Sequence, residues 1–302
     1  MSSETFAEIA RAKINLTLRV LGRRSDGYHE LESLVTFAAV GDRIQLRKHV
    51  AQGAAADRVV VAGRFANEIV GENLVGTALR LVEEACGRRL SVSVELEKAI
   101  PVAAGIGGGS ADAAAVLRVL RTAFPDLAAS IDWMAIARRL GADVPVCLES
   151  RPAWMTGIGE RLASAALPRL DVVLVNPCVP VPADKTRRVF EALAAARVGD
   201  VPAGGALAAR AVPVFADRAA LLAHMRGVGN DLERAATLVV PDIADVKAAV
   251  AGLPGCDIAV LSGAGPTVVG VFASLAHAVA AEQRLRLERP SWWVRAGTTI
   301  AS

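Results

Sequence analysis

A chain of 302 residues exceeds the roughly 100 to 200 residues of a common domain, so two lobes or one large α/β unit are expected. Hydrophobic residues make up 53% against 22% charged, enough for a sizeable core; with one Tyr, four Trp and seven Phe that core is mainly aliphatic and alanine-rich. The 34 basic and 31 acidic residues leave a formal net charge of +3 and are scattered without a basic run or stripe, which argues against nucleic acid as a partner.

Cys86, Cys147, Cys178 and Cys256 lie far apart and offer no closely spaced zinc ligands, so buried free thiols in a reducing cytosol are expected. The segment Met1 to Arg11 carries Glu4 and Glu8 and lacks the apolar core of a secretory signal. No uncharged run approaches the roughly 18 residues that suggest a membrane span. The expectation is a soluble, cytoplasmic protein without a membrane partner, with monomer and homodimer both left open.

Ile14, Leu16, Leu18 and Val20 alternate with Asn15, Thr17 and Arg19, the period of a strand with one face buried, and Lys13 falls on the polar face with Asn15. Strands are predicted over Arg43 to Arg47, Arg58 to Ala62 and Ser91 to Leu96, with a helix over Asn73 to Cys86. A helix over Ala113 to Phe124 begins as a run of glycines ends, and another over Asp132 to Leu140 is stopped by Gly141, which leaves Asp143 just beyond it. A strand at Val172 to Val175 and a helix ending near Ala196 follow. The stretch Val198 to Pro213, rich in Gly, Ala and Pro, predicts a loop or short mobile piece. Helical patterns cover Arg218 to Met225, Asp231 to Leu238 and Ile243 to Ala251. Strands at Asp257 to Leu261 and Thr267 to Phe272 flank Ser262-Gly263-Ala264-Gly265, and a helix over Leu275 to Leu287 and a strand over Trp292 to Arg295 close the chain. That ending predicts a separate α+β lobe starting between Ala153 and Val172.

The most informative stretch is Pro101-Val102-Ala103-Ala104-Gly105-Ile106-Gly107-Gly108-Gly109-Ser110-Ala111-Asp112. Four glycines among five residues, just before a helix, let backbone N–H groups turn inward on an anion, and the helix N-terminus adds unpaired donors and the positive end of its dipole. Polyphosphate is the natural guest. The Lys-Ser/Thr pair of a Walker A loop is missing, and position 110 holds Ser where a dinucleotide fingerprint needs Gly, so this is a third kind of phosphate loop. Ser110 is placed either to reach a phosphate or the Mg²⁺ that ATP carries, or to cap the helix.

This stretch resembles the central ATP motif of the GHMP kinase superfamily, and Ala12-Lys13-Ile14-Asn15-Leu16 and Leu261 to Thr267 agree with it in order. Within that superfamily, Arg24-Ser25-Asp26-Gly27-Tyr28-His29-Glu30, Leu140 to Pro145 and Gly229 to Glu233 resemble the branch that phosphorylates 4-diphosphocytidyl-2-C-methyl-D-erythritol. The resemblance implies a two-lobe α+β fold. Residues 1–160 would form an ATP-binding lobe of mixed sheet with helices and residues 161–302 a ferredoxin-like α+β lobe, with the active site in the cleft between them. It also implies ATP-dependent transfer to the substrate 2-hydroxyl, on the non-mevalonate route to isopentenyl diphosphate.

By the same resemblance Asp143 is the base at the acceptor hydroxyl, Lys13 steadies charge on the transferred group, and Asn73 and Lys98 lie near the adenine. Tyr28 and His29 meet the cytosine by stacking and edge recognition, and Asn15 lies on the substrate side. Thr186-Arg187-Arg188-Val189-Phe190 resembles the family's Thr-x-x-Val-aromatic segment and makes Phe190 the second face of a cytosine sandwich. Gly263 and Gly265 would bind anionic substrate. The stretch Pro180 to Lys185 departs from the family pattern in holding a few more residues before the Thr, which leaves Arg187 or Arg188 as alternatives facing the substrate diphosphate. Two rival readings are a homoserine- or mevalonate-type kinase, which would lack the Asp-Gly-Tyr-His segment, and a non-catalytic nucleotide sensor, against which Lys13 and Asp143 argue.

Overall fold

The computed structural model describes residues 4–49, 58–69, 71, 73–194 and 211–301. Of the segment Val198 to Pro213 only residues 211–213 are among them, and these carry no regular structure. The residues fall into two compact units interleaved along the chain. One is Met1–Ala12, Gly41–Val102 and Gly107–Ser150; the other is Lys13–Val40, Ala103–Ile106 and Arg151–Ser302. This division differs from a single cut near residue 160. Strands β1 (Thr5–Arg23) and β2 (His29–Lys48), of 19 and 20 residues, are so long that each contributes residues to both units.

In the first unit the C-terminal part of β2 pairs antiparallel with β4 (Val92–Glu97), and β3 (Val59–Ala62) pairs parallel with β4. Helix α1 (Leu74–Cys86) starts where Asn73 accepts the Val75 N–H at 3.0 Å and stops at a left-handed Gly87. It packs on α2 (Gly108–Ala123), whose buried Ala111, Ala113, Ala114 and Ala115 permit close helix approach. Helix α2 begins at Gly108 rather than Ala113, because Gly107 adopts the left-handed conformation at its N-cap and the next two glycines enter the first turn. Helices α3 (Pro125–Ala128), α4 (Trp133–Leu140) and α5 (Val144–Glu149) complete this unit; the six-residue α5 is too short to show a helical period in sequence.

In the second unit, β5 (Ala153–Gly157) pairs antiparallel with the N-terminal part of β2 and with β6 (Arg161–Ser164). A four-stranded antiparallel sheet runs β10-β7-β9-β8, built from β7 (Asp171–Asn176), β8 (Cys256–Leu261), β9 (Val268–Phe272) and β10 (Trp293–Thr298). Helix α6 (Lys185–Ala194) follows β7, and α7 (Arg218–Val228), α8 (Glu233–Val239), α9 (Asp242–Ala251) and α10 (Leu275–Glu288) follow in order. Val246, Val250, Ala278 and Leu285 of α9 and α10 join Leu261, Val268 and Phe272 of the sheet in one core.

The alternation of β1 does not mark a solvent face. Lys13, Asn15 and Thr17 are as buried as Ile14, Leu16 and Leu18, so the polar residues form an internal hydrogen-bonded layer. The thiols are all free, but only Cys147 is buried, the other three being half-exposed. Among the described residues no helix is long and apolar enough to cross a membrane.

Candidate active site

In the second unit, four successive carbonyls of the glycine-rich stretch are tied to the protein. Ala103 O accepts from Lys185 Nζ at 2.7 Å, Ala104 O from Thr267 N at 3.1 Å, Gly105 O from Ser262 Oγ at 3.1 Å and Ile106 O from Lys13 N at 2.9 Å. A trans peptide carries its C=O and N–H on opposite sides. Anchoring the carbonyls of 103–106 therefore turns each N–H of 104–107 away from the anchor on its own peptide, which leaves these donors available to an anion. Packing is tight enough to require glycine at position 105, where φ is +77° and a Cβ would lie 2.6 Å from both Gly265 O and Ser262 O. Ala103 holds φ 53° without being glycine, a strained left-handed conformation.

The second glycine loop, Ser262 to Gly265, faces this stretch. Asn230 supports it, donating from Nδ2 to Leu261 O at 2.8 Å and Gly263 O at 2.9 Å. This gives Asn230, in a segment noted in sequence only as a family match, a definite task. Asn15 donates its N–H to Ser262 Oγ at 3.1 Å and its Nδ2 to Ser33 Oγ at 2.7 Å, while its buried Oδ1 has no partner and is left as an acceptor.

On the aromatic side, Arg24 N–H donates to Tyr28 O at 2.7 Å in a turn that presents Tyr28 at 59% exposure. The His29 ring stacks on Phe190, centroids 4.5 Å apart at 21°. Phe190 is thus placed at the Tyr28-His29 segment, where its ring meets His29 while Tyr28 stands in solvent. Burial, reinforced by Arg23, holds His29 below its ordinary pKa, so the ring is neutral near pH 7, and its buried Nε2 has no partner. Thr186 is exposed on the first turn of α6. Arg187 pairs with Asp184 and Glu191, and Arg188 with Asp184, so both guanidinium groups are engaged by carboxylates on α6 or just before it.

The first unit holds the remaining candidates. Ser110 is the third residue of α2 rather than its cap, half-buried beside Gly108, Gly109 and Ala111 and following Pro101 and Val102 in the chain. Asn73 keeps a buried Nδ2 without a partner. Asp143 stands at the N-cap position of α5, half-buried, with no cap bond from its side chain. Lys98 is no ordinary strand-end lysine. Its ammonium is buried between Asp42 and Asp112, 2.8 Å from Asp112 Oδ2 and 3.7 Å from where a Cβ on Gly108 would sit. Asp42 also accepts the Ala99 and Ile100 N–H groups at 2.6 and 3.0 Å, so one triad fixes the chain just before the glycine-rich stretch and the second turn of α2 just after it. Burial alone would lower the Lys98 pKa, but Asp112 and Asp42 outweigh it and hold it raised; burial and Asp42 push Asp112 up to about 8 against the pull of Lys98. Nothing in the sequence pattern marked Asp42.

Residues 73–151 match the family described as GHMP kinases N terminal domain. Along nearly its whole length the chain is similar to the 4-diphosphocytidyl-2-C-methyl-D-erythritol kinase of Rhodopseudomonas palustris (strain HaA2), 45% identical over 304 residues and covering 99% of each. The chain belongs to the 4-diphosphocytidyl-2-C-methyl-D-erythritol kinase family. A solved structure of a kinase of that family is 34% identical, with a TM-score of 0.77 over 98% of this chain and all of the other. Homoserine kinase from Cytophaga hutchinsonii, 17% identical with a TM-score of 0.66 over 98% of this chain and 95% of that one, shares the GHMP kinase fold. Family membership makes the chain an ATP-dependent phosphotransferase with an alcohol as acceptor.

Gly105→Ala is expected to destabilise by about 2 kcal/mol and, by moving the loop, to lower kcat/KM on the order of a hundredfold, read by denaturant unfolding and steady-state kinetics. In the triad, Lys98→Met removes the cation held between Asp42 and Asp112 and should cost about 3–5 kcal/mol. Asp112→Asn is expected to weaken the dependence of stability on pH. Because the native pKa of Asp112 is raised, its contribution is full below the unfolded value of about 4 and is lost as pH rises through about 8. Unfolding free energies measured across that window should therefore decline less in the Asn variant than in the wild type.

Proposed function

We propose that this chain transfers the γ-phosphoryl group of ATP to the 2-hydroxyl of 4-diphosphocytidyl-2-C-methyl-D-erythritol, giving the 2-phosphate and ADP in the non-mevalonate route to isopentenyl diphosphate. The anchored carbonyls of 103–106 carry the phosphoryl-transfer part of this reading, since they leave a row of amides for a polyphosphate. Family membership supplies the choice of alcohol. The cytoplasm, where ATP is abundant, is the compartment that suits the reaction.

Asp143 acts as the base. As its carboxylate accepts the hydroxyl proton, the oxygen forms the new bond to the γ-phosphorus and the bridging oxygen leaves with ADP. Lys13 stabilises the charge on the transferred group. Backbone amides of the glycine-rich stretch hold the phosphates, and the unpartnered Asn73 Nδ2 is available to the nucleotide. Mg²⁺ bound with ATP would neutralise phosphate charge, and the half-exposed Ser110 hydroxyl is its candidate protein ligand, most of its oxygen shell coming from phosphate and water.

For the acceptor, Tyr28 and Phe190 offer aromatic faces to a cytosine, and the neutral His29 can donate with one ring nitrogen and accept with the other. Asn15 and the loop of Gly263 and Gly265 bind the anionic remainder of that substrate.

Phosphorylation measured with the cytidylyl substrate beside homoserine and mevalonate should show turnover of the first alone, and turnover of either simple alcohol in its place would overturn the substrate assignment. Asp143→Ala is expected to keep ATP binding and lose on the order of 10³-fold in kcat; near-normal turnover would remove Asp143 from the mechanism. Phe190→Ala should raise KM for the cytidylyl substrate roughly tenfold, as loss of one stacking face implies, with KM for ATP unchanged.

A further inference from the structure

Lys185 has no part in the mechanism above, yet it holds the first of the four anchored carbonyls. It opens α6 at 3% exposure, and its Nζ donates to Ala103 O at 2.7 Å and to Gly265 O. No carboxylate accompanies it among the described residues, in contrast to Lys98 with its two. Buried ammonium groups are normally paired, because desolvation without a counter-charge disfavours the charged form, and burial alone lowers the Lys185 pKa to about 8.

The other three anchors are the backbone amides of Thr267 and Lys13 and the hydroxyl of Ser262. Lys185 is the only charged anchor, and it reaches the loop from a helix outside both glycine segments. Its target, Ala103, is the residue held in a strained left-handed conformation, so the 103–104 peptide is the one most ready to turn over if released. Lys185 ends the stretch from Pro180 that leads into α6.

We propose that Lys185 is a positioning residue for phosphoryl transfer: its ammonium clasps the carbonyls of Ala103 and Gly265 and fixes the two glycine segments together, and bound polyphosphate supplies the negative charge this buried cation lacks. The proposal rests on the ATP-dependent reading given above. It makes the amide of residue 104 a donor only while the clasp is closed, and it explains why a cation is kept where a neutral donor would satisfy two carbonyls at lower desolvation cost.

The test compares wild type, Lys185→Met and Lys185→Gln by thermal unfolding, by steady-state kinetics and by equilibrium binding of a non-hydrolysable ATP analogue and of adenosine. Both variants are expected to fold with a midpoint no more than a few degrees below wild type, since an unpaired buried cation is removed. Affinity for the analogue and kcat/KM for ATP should fall at least about tenfold in the Met variant and less in the Gln variant, which keeps a neutral donor, while adenosine binds all three alike. Analogue affinity within twofold of wild type in either folded variant, or an equal loss for adenosine, would overturn the clasp. Should the Met variant fail to fold, the Gln variant decides by the same comparison. A wild type without kinase turnover would instead remove the functional reading, and the analogue-adenosine difference would still decide the role of Lys185.

Discussion

The arrangement depends on the fixing of the carbonyls of residues 103–106. Each of these four bonds contributes about 1 kcal/mol net, enough together to offset a left-handed alanine that costs about 1–2 kcal/mol. Their larger consequence is directional. With the carbonyls held by Lys185, Thr267, Ser262 and Lys13, each amide is turned away from the anchor of its own peptide. In the proposed reading such a loop holds phosphate with no lysine inside it. The glycines serve the packing, as at Gly105, where any side chain would strike the carbonyls of Gly265 and Ser262.

The same loop shows what the sequence could and could not reveal. Glycine density before an alanine-rich helix announces an anion site, because backbone freedom and helix ends are local properties. The anchors are not local. Lys185 lies 82 residues from Ala103, and Ser262 lies 157 from Gly105. The alternation in β1 identified a strand but suggested a wet face, whereas Lys13, Asn15 and Thr17 are covered; periodicity reports two faces, not what lies against each. Helix α2 starts five residues earlier than its alanine pattern suggests, since a left-handed Gly107 can open a helix whose first turn is glycine. The stack of Phe190 on His29 joins residues 161 apart in the chain, a pairing that local pattern does not show.

The two buried lysines are organised on opposite principles. Lys98 has two carboxylates, one of which also takes two backbone amides, so a closed ionic unit braces the chain on either side of the glycines. Such a unit is costly to break by removing one member and contributes mainly geometry. Lys185 meets carbonyls alone, so its charge is open to whatever anion the loop receives. Asp42, 56 residues from Lys98, is the member of this frame least visible in sequence, yet it holds the two amides that lead into the loop.

A structure with a non-hydrolysable ATP analogue and the cytidylyl substrate bound together tests the central claim most directly. The expected result has phosphate oxygens within hydrogen-bond reach of amides between residues 104 and 110, and the Asp143 carboxylate within the same reach of the 2-hydroxyl. Phosphates held elsewhere, or a 2-hydroxyl served by a different base, would contradict it.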